Sequence, residues 1–156
     1  MTGWTQHEAD AWIGLLETHK QVTRALEVEL DAAHGLGLSA LELLGRLKAA
    51  GEGWPRLSAL ARETGLSLSR VSRHMDALER RGLVQRRVCA TDARAVEAHL
   101  TADGEVLVAE AEAAHAQAVR ERFLSQLSDE EAATLARVFR RFAPRAAEAC
   151  AAVPKP

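Results

Sequence analysis

The feature that most constrains this sequence is a pair of short helical periods parted by one glycine-containing turn and followed at once by strand-like alternation. Ser58 is placed to cap a helix over 58–64, and Gly65-Leu66 reads as a tight turn. Ser67 is placed to cap a second helix over 67–81, which Gly82 ends. Two short helices joined in this way form a helix-turn-helix. Leu83-Val84-Gln85-Arg86-Arg87-Val88 then alternates as a strand, Ala90-Thr91-Asp92-Ala93 reads as a turn, and Val96 to Leu100 as the returning strand. Arg56-Leu57 reads as a further, very short strand.

A hairpin directly after the second helix makes a winged helix. Around it the chain reads as helix throughout. Thr5-Gln-His-Glu8, Ser39-Ala-Leu-Glu42 and Ser128-Asp-Glu-Glu131 each have the form of a capping box, in which a hydroxyl and a carboxylate three residues on satisfy free backbone N–H groups. The first helix is expected over 5–33, with an apolar stripe of Trp12, Leu15 or Leu16, Val22, Leu26 and Leu30, and an end at His34-Gly35-Leu36-Gly37. The second should span 39–50 and stop at Gly51-Glu-Gly53. Thr101 should cap a helix over 101–126, and Pro144 should kink a last one over 128–151, with Val153 to Pro156 frayed. The fold class is therefore mainly α with a small β-hairpin wing and about six helices. The first helix is too long to bury its stripe on a short neighbour, so part of it is expected to meet a second subunit.

Charge separates this lobe from the rest. The chain carries a formal charge of −2, but from Arg56 to Arg94 nine arginines face four acids. The remainder holds eleven bases against eighteen acids. A basic block inside an acidic chain is the footprint of a local polyanion contact. In the second helix Val71, Met75 and Leu78 recur at inward spacing. Ser69, Arg70, Ser72 and Arg73 therefore point elsewhere, near the helix N-terminus, where such a helix meets base edges in the major groove. Arginine binds guanine bidentately there, and serines reach phosphates or bases. Arg62 and Ser67 join this set. Arg86, Arg87 and Arg94 are expected on or near the hairpin tip, where arginine enters the narrow minor groove, and Asp92 is placed to hold the Arg94 side chain. His74 falls beside the inward face and reads as a partly buried histidine.

Leu66-Ser-Leu-Ser-Arg-Val-Ser-Arg-His-Met-Asp-Ala-Leu-Glu-Arg-Arg-Gly-Leu-Val84 resembles the recognition helix and strand entry of MarR-type transcriptional regulators. Asp92-Ala-Arg94 followed by Leu100-Thr101-Ala-Asp-Gly104 is similar to that family's wing signature. The likeness is strongest over 56–104, and the flanking helices agree in number and order. It implies a triangular homodimer in which the long N- and C-terminal helices, residues 1–38 and 102–156, form the homodimer interface, and the winged helix-turn-helix lobes, residues 39–101, reach successive major grooves of a pseudo-palindromic duplex DNA, with Asp92 and Arg94 as the wing pair. It also implies a repressor released by a small, often phenolic or aromatic-acid, effector. His74 and Ala93 depart from the family pattern, at positions usually apolar and often basic.

For that effector, Trp12 and His19 share a face of the first helix, offering an indole wall and an imidazole donor, and Arg46 is a further anion partner. The alternative is that Trp12 is core or interface and His19 structural. Cys89 lies in the expected wing near Arg86, Arg87 and Arg94, which would lower its pKa and allow redox control; Cys89 and Cys150 otherwise read as reduced thiols. The six histidines show no i, i+4 pair, so no metal or other cofactor is expected. No phosphate loop, nucleophile elbow or His-Glu-x-x-His motif is present, so the chain does not read as an enzyme. No apolar run is long enough to cross a membrane and no signal peptide is evident, so a cytoplasmic location is expected. A winged-helix module that binds protein instead of DNA is the remaining alternative.

Overall fold

A computed structural model describes residues 3–142. The order is α1 (Gln6–His34), α2 (Leu38–Ala49), α3 (Leu57–Thr64), α4 (Leu68–Arg80), β1 (Val84–Cys89), β2 (Asp92–Leu100), α5 (Ala102–Arg122), a single 3-10 turn (Leu124–Gln126) and α6 (Asp129–Phe142). Among the described residues, six helices and one two-stranded hairpin give the expected fold class. The chain divides between Ala118 and Val119 into two compact units.

In the first unit one core is built from Leu30 and Leu36, then Leu43, Leu44 and Leu47 of α2, Leu60 of α3, Val71 and Met75 of α4, Val84 and Ala98 of the hairpin, and Val108 and Ala111 of α5. The helix-turn-helix and wing are thus fixed by shared burial. Only the C-terminal half of α1 contributes, through Leu30, while Leu26 is buried outside this cluster. Trp12, Leu15 and Leu16, expected on the same stripe, are each about half exposed. In the second unit, Ser128 and Glu131 form a reciprocal capping box that opens α6.

Thr5 and Glu8 form the box expected at the start of α1, and Gly35 ends that helix in the left-handed region at φ 61°. The second expected box does not form. Gly37, extended at φ −85° and ψ 162°, takes the cap position of α2 without a side-chain bond. Ser39 is already inside the helix, and Glu42 faces Arg46 instead at 3.8 Å. Likewise α3 starts at Leu57 behind Arg56, so Ser58 is not its cap. Arg56 keeps half of its expected strand character as an isolated bridge to Glu97. Ser67 does cap α4, accepting from the Arg70 N–H, and Thr101 accepts from the Gly104 N–H at 3.0 Å to open α5. That helix ends at Arg122, four residues short of the expected boundary. The expected kink at Pro144, the rest of the last helix and Cys150 lie outside the described residues.

The hairpin turn is tighter than expected. Only Ala90 and Thr91 lie between the strands, and Asp92 already pairs with Cys89 across a register shift. The returning strand starts four residues early because Asp92 caps its own turn, accepting from the Arg94 N–H at 3.1 Å.

Candidate nucleic-acid interface

The second helix of the motif presents what its spacing dictates. Val71 and Met75 are fully buried and Leu78 nearly so, while Ser67, Ser69, Arg70 and Arg73 are exposed and Ser72 is half-buried. Ser67 and Ser69 share a hydroxyl hydrogen bond at 3.1 Å across the first turn. Arg62 stands exposed on α3. The turn between the helices needs Gly65, which ends α3 at φ 69°.

The nine arginines of the basic block divide into two groups. Five are engaged within the protein. Arg56 donates to Cys89 Sγ at 3.5 Å and to Thr91 Oγ1 at 3.4 Å. Arg80 returns to the Asp76 carbonyl at 3.2 Å. Arg81 grips the last turn of α1, donating to the carbonyls of Gly35 at 2.6 Å and His34 at 2.8 Å. Arg86 binds Glu79 through Nε at 2.9 Å and Asp76 through Nη1 at 2.5 Å. The Glu79 carboxylate holds this guanidinium above its ordinary pKa against the opposing effect of partial burial. Arg87 pairs with Glu97 at 2.9 Å and lies 4.1 Å above the Trp54 ring. The other four, Arg62, Arg70, Arg73 and Arg94, have no ion pair or side-chain hydrogen bond among the described residues.

These placements change parts of the expected wing. Arg86 and Arg87 sit in mid-strand opposite Ala98 and Glu97, not near the tip. Arg86 faces back onto α4 because two of that helix's acids lie within its reach. Asp92 holds the Arg94 backbone and not its side chain. The wing's base carries an arrangement that sequence reading missed: Trp54 stacks on His99 at 5.1 Å, and His99 Nδ1 meets the Gly53 carbonyl at 3.1 Å. This ties the loop before α3 to β2. No local pattern announces it, because forty-five residues separate the partners.

His74 is half-buried, as expected. Burial first, and then Arg70 and Arg73, push its pKa below the ordinary histidine value. Cys89 is buried, with Thr91 and Arg56 against its sulfur. Hydrogen bonds from Thr91 hold its thiol below the usual range, and the nearby guanidinium is that of Arg56, not Arg86, Arg87 or Arg94. The three residues expected at the effector site each meet another residue. Trp12 is about half exposed with its ring edge-on to Trp4 at 6.5 Å, His19 meets Thr23 at 3.4 Å, and Arg46 faces Glu42. A groove of about 220 Å³ does lie between α1 and α5, lined by Leu26, Leu30, Ala33, His34, Ala114 and His115 among others. Within it His115 Nδ1 is buried without a hydrogen-bond partner among the described residues. No cluster of three or more His, Cys, Asp or Glu suited to a metal occurs among the described residues, and no described helix is long and apolar enough to cross a membrane.

A helix-turn-helix continued by an antiparallel hairpin, with unpaired arginines on both, defines a winged helix-turn-helix protein. Residues 34–95 match the MarR family. The whole chain is similar to AbsC, a MarR family transcriptional regulator from Streptomyces coelicolor, at 30% identity and a TM-score of 0.81, covering 95% of this chain and 99% of that one. A second S. coelicolor MarR family regulator, solved in complex with DNA, matches at 26% identity and a TM-score of 0.82 over 90% of this chain and 91% of that one. A mutant E. coli MarR complexed with operator DNA shares the fold, at 20% identity and a TM-score of 0.72 over 89% of this chain and 99% of that one. The chain belongs to the MarR family of transcriptional regulators, which are not enzymes.

Proposed function

We propose that this regulator binds a pseudo-palindromic duplex DNA as a homodimer and represses transcription until a small molecule releases it. One observation carries the DNA reading. Of the nine arginines from Arg56 to Arg94, the four without internal partners among the described residues are Arg62 on α3, Arg70 and Arg73 on the first turns of α4, and Arg94 beside the wing tip. An unpaired arginine can give its whole charge to a phosphate or its fork to a guanine. In this reading Ser67, Ser69 and Ser72 complete the base-proximal turn of α4, and Asp92 sets the wing that carries Arg94. Arg86 acts by fixing the wing to α4, and Arg87 by fixing it to Trp54. A winged-helix module for protein partners would have no need of four unpaired arginines spread over two helices and a hairpin.

Residues 1–38 and 102–156 serve dimerisation in this reading, and 39–101 the DNA-binding lobe. The exposed Trp4, Trp12, Ile13, Leu15 and Leu16 of the N-terminal segment and α1 support a second copy as their cover. For the effector, the groove beside His115 is a better candidate than Trp12, His19 and Arg46, because it is apolar and holds an unsatisfied nitrogen. Its size suits an aromatic acid of one ring. Control through Cys89 is disfavoured by its burial.

The test is fluorescence anisotropy against a duplex recovered from a randomised pool, titrated at several salt concentrations. Arg73→Ala and Arg94→Ala should each weaken binding and lower the salt slope by about one, while gel filtration still gives a dimer. Parental affinity in both variants would overturn the assigned DNA face.

A further inference from the structure

Leu68 is the first residue of α4 and belongs by spacing to its buried stripe. Leu68, Val71, Met75 and Leu78 stand at i, i+3, i+7 and i+10. Val71 and Met75 are 0% exposed and Leu78 is 2% exposed, yet Leu68 is 53% exposed. The stripe therefore outruns the core, and the first turn of α4 overhangs it. Helical side chains lean toward the helix N-terminus, so at the first position of α4 Leu68 leans beyond the turn that the core covers, in keeping with its exposure. Its immediate neighbours are Ser67 and Ser69, both exposed, and the next residues to reach solvent are the unpaired Arg70 and Arg73. An apolar side chain is thus set within the basic, hydroxyl-bearing turn that the DNA reading directs into a major groove.

We propose that Leu68 is a specificity-determining residue that packs against the C5-methyl group of a thymine. The inference rests on that DNA reading and adds a base preference to it. The free arginines around Leu68 select a polyanion as the occupant of this surface. Among the base edges displayed in a major groove, the thymine methyl is the apolar group, whereas guanine, adenine and cytosine offer donors and acceptors that a leucine cannot pair. A leucine at this site therefore favours thymine by burying its methyl, and disfavours the other bases by desolvating their polar edges.

The experiment uses the full chain and a duplex it selects from a randomised pool. Each thymine of that duplex is replaced in turn by uracil, which removes only the methyl. At one position in each half-site, uracil should weaken binding about fourfold, the value of one buried methyl group. Leu68→Ala should weaken binding to the thymine duplex by at least as much. Against Leu68→Ala, the same uracil replacement should cause no further loss. Unchanged thermal unfolding of the variant would show that the fold is intact, as the exposure of Leu68 implies. Uracil losses that persist in full in Leu68→Ala, or no uracil-sensitive position in a duplex bound with a normal salt slope, would overturn the contact. Failure to select any duplex would instead overturn the DNA reading beneath it.

Discussion

Gly104→Ala should destabilise this protein, although it places a better helix former inside α5. The first turn of α5 is docked on the end of α4. The Thr101 N–H donates to the Leu83 carbonyl at 3.1 Å, and the Thr101 hydroxyl donates to the Gly82 carbonyl at 2.7 Å. Gly104 is buried one turn later, and a Cβ there would run into that same Leu83 carbonyl oxygen and come within 3.2 Å of Leu100 Cδ2. The obstacle is backbone, so it cannot swing aside as a flexible side chain would. The start of α5 must move by about 1 Å to restore ordinary contact. Helix propensity favours alanine by about 0.5–1 kcal/mol. Overpacking opposes it by about 1–3 kcal/mol. Weakening the two Thr101 bonds adds about 1 kcal/mol each. The net loss is about 2–4 kcal/mol, which lowers the melting temperature by roughly 4–16 °C for a chain of this length. Calorimetry at one fixed protein concentration measures it, since the proposed dimerisation would make the midpoint concentration-dependent. A variant that melts at or above the parent temperature would refute the close approach of α5 to Leu83, and with it the docking of the wing's base.

Arg86→Met should keep the packed stem but strip Glu79 and Asp76 of their shared cation. With Asp76 49% and Glu79 38% exposed, the loss is discounted to about 1 kcal/mol in urea unfolding, and hairpin amides should exchange faster. Unchanged exchange would show that the ion pairs do not hold the wing. His74 has a folded-state pKa below its unfolded value, so its contribution is full above about pH 6.5 and is lost as pH falls through the folded value. Parent stability should therefore fall toward acid more steeply than that of His74→Leu, and proton NMR should titrate His74 below the ordinary histidine midpoint. Parallel pH profiles would contradict this assignment.

Much of the architecture was legible locally. Gly35, Gly65 and Gly82 mark helix ends where φ turns positive, Ser67 and Thr101 announce helix starts, and the 71, 75, 78 spacing names the buried face of α4. These are effects of near neighbours, so a linear reading reaches them. The same reading misplaced the starts of α2 and α3, because Ser39 and Ser58 have capping side chains while burial of the core leucines sets where each helix begins. It also pointed to the basic block without dividing it. All nine arginines are equivalent in sequence, and only the fold brings Arg86 to Glu79 and Asp76, Arg81 to the end of α1, and Arg87 to Trp54. Charge and helical period were thus determined by the sequence itself. Which arginines are left without an internal partner was decided by tertiary structure, since an ion pair or cation–π contact depends on distances that long-range packing alone sets.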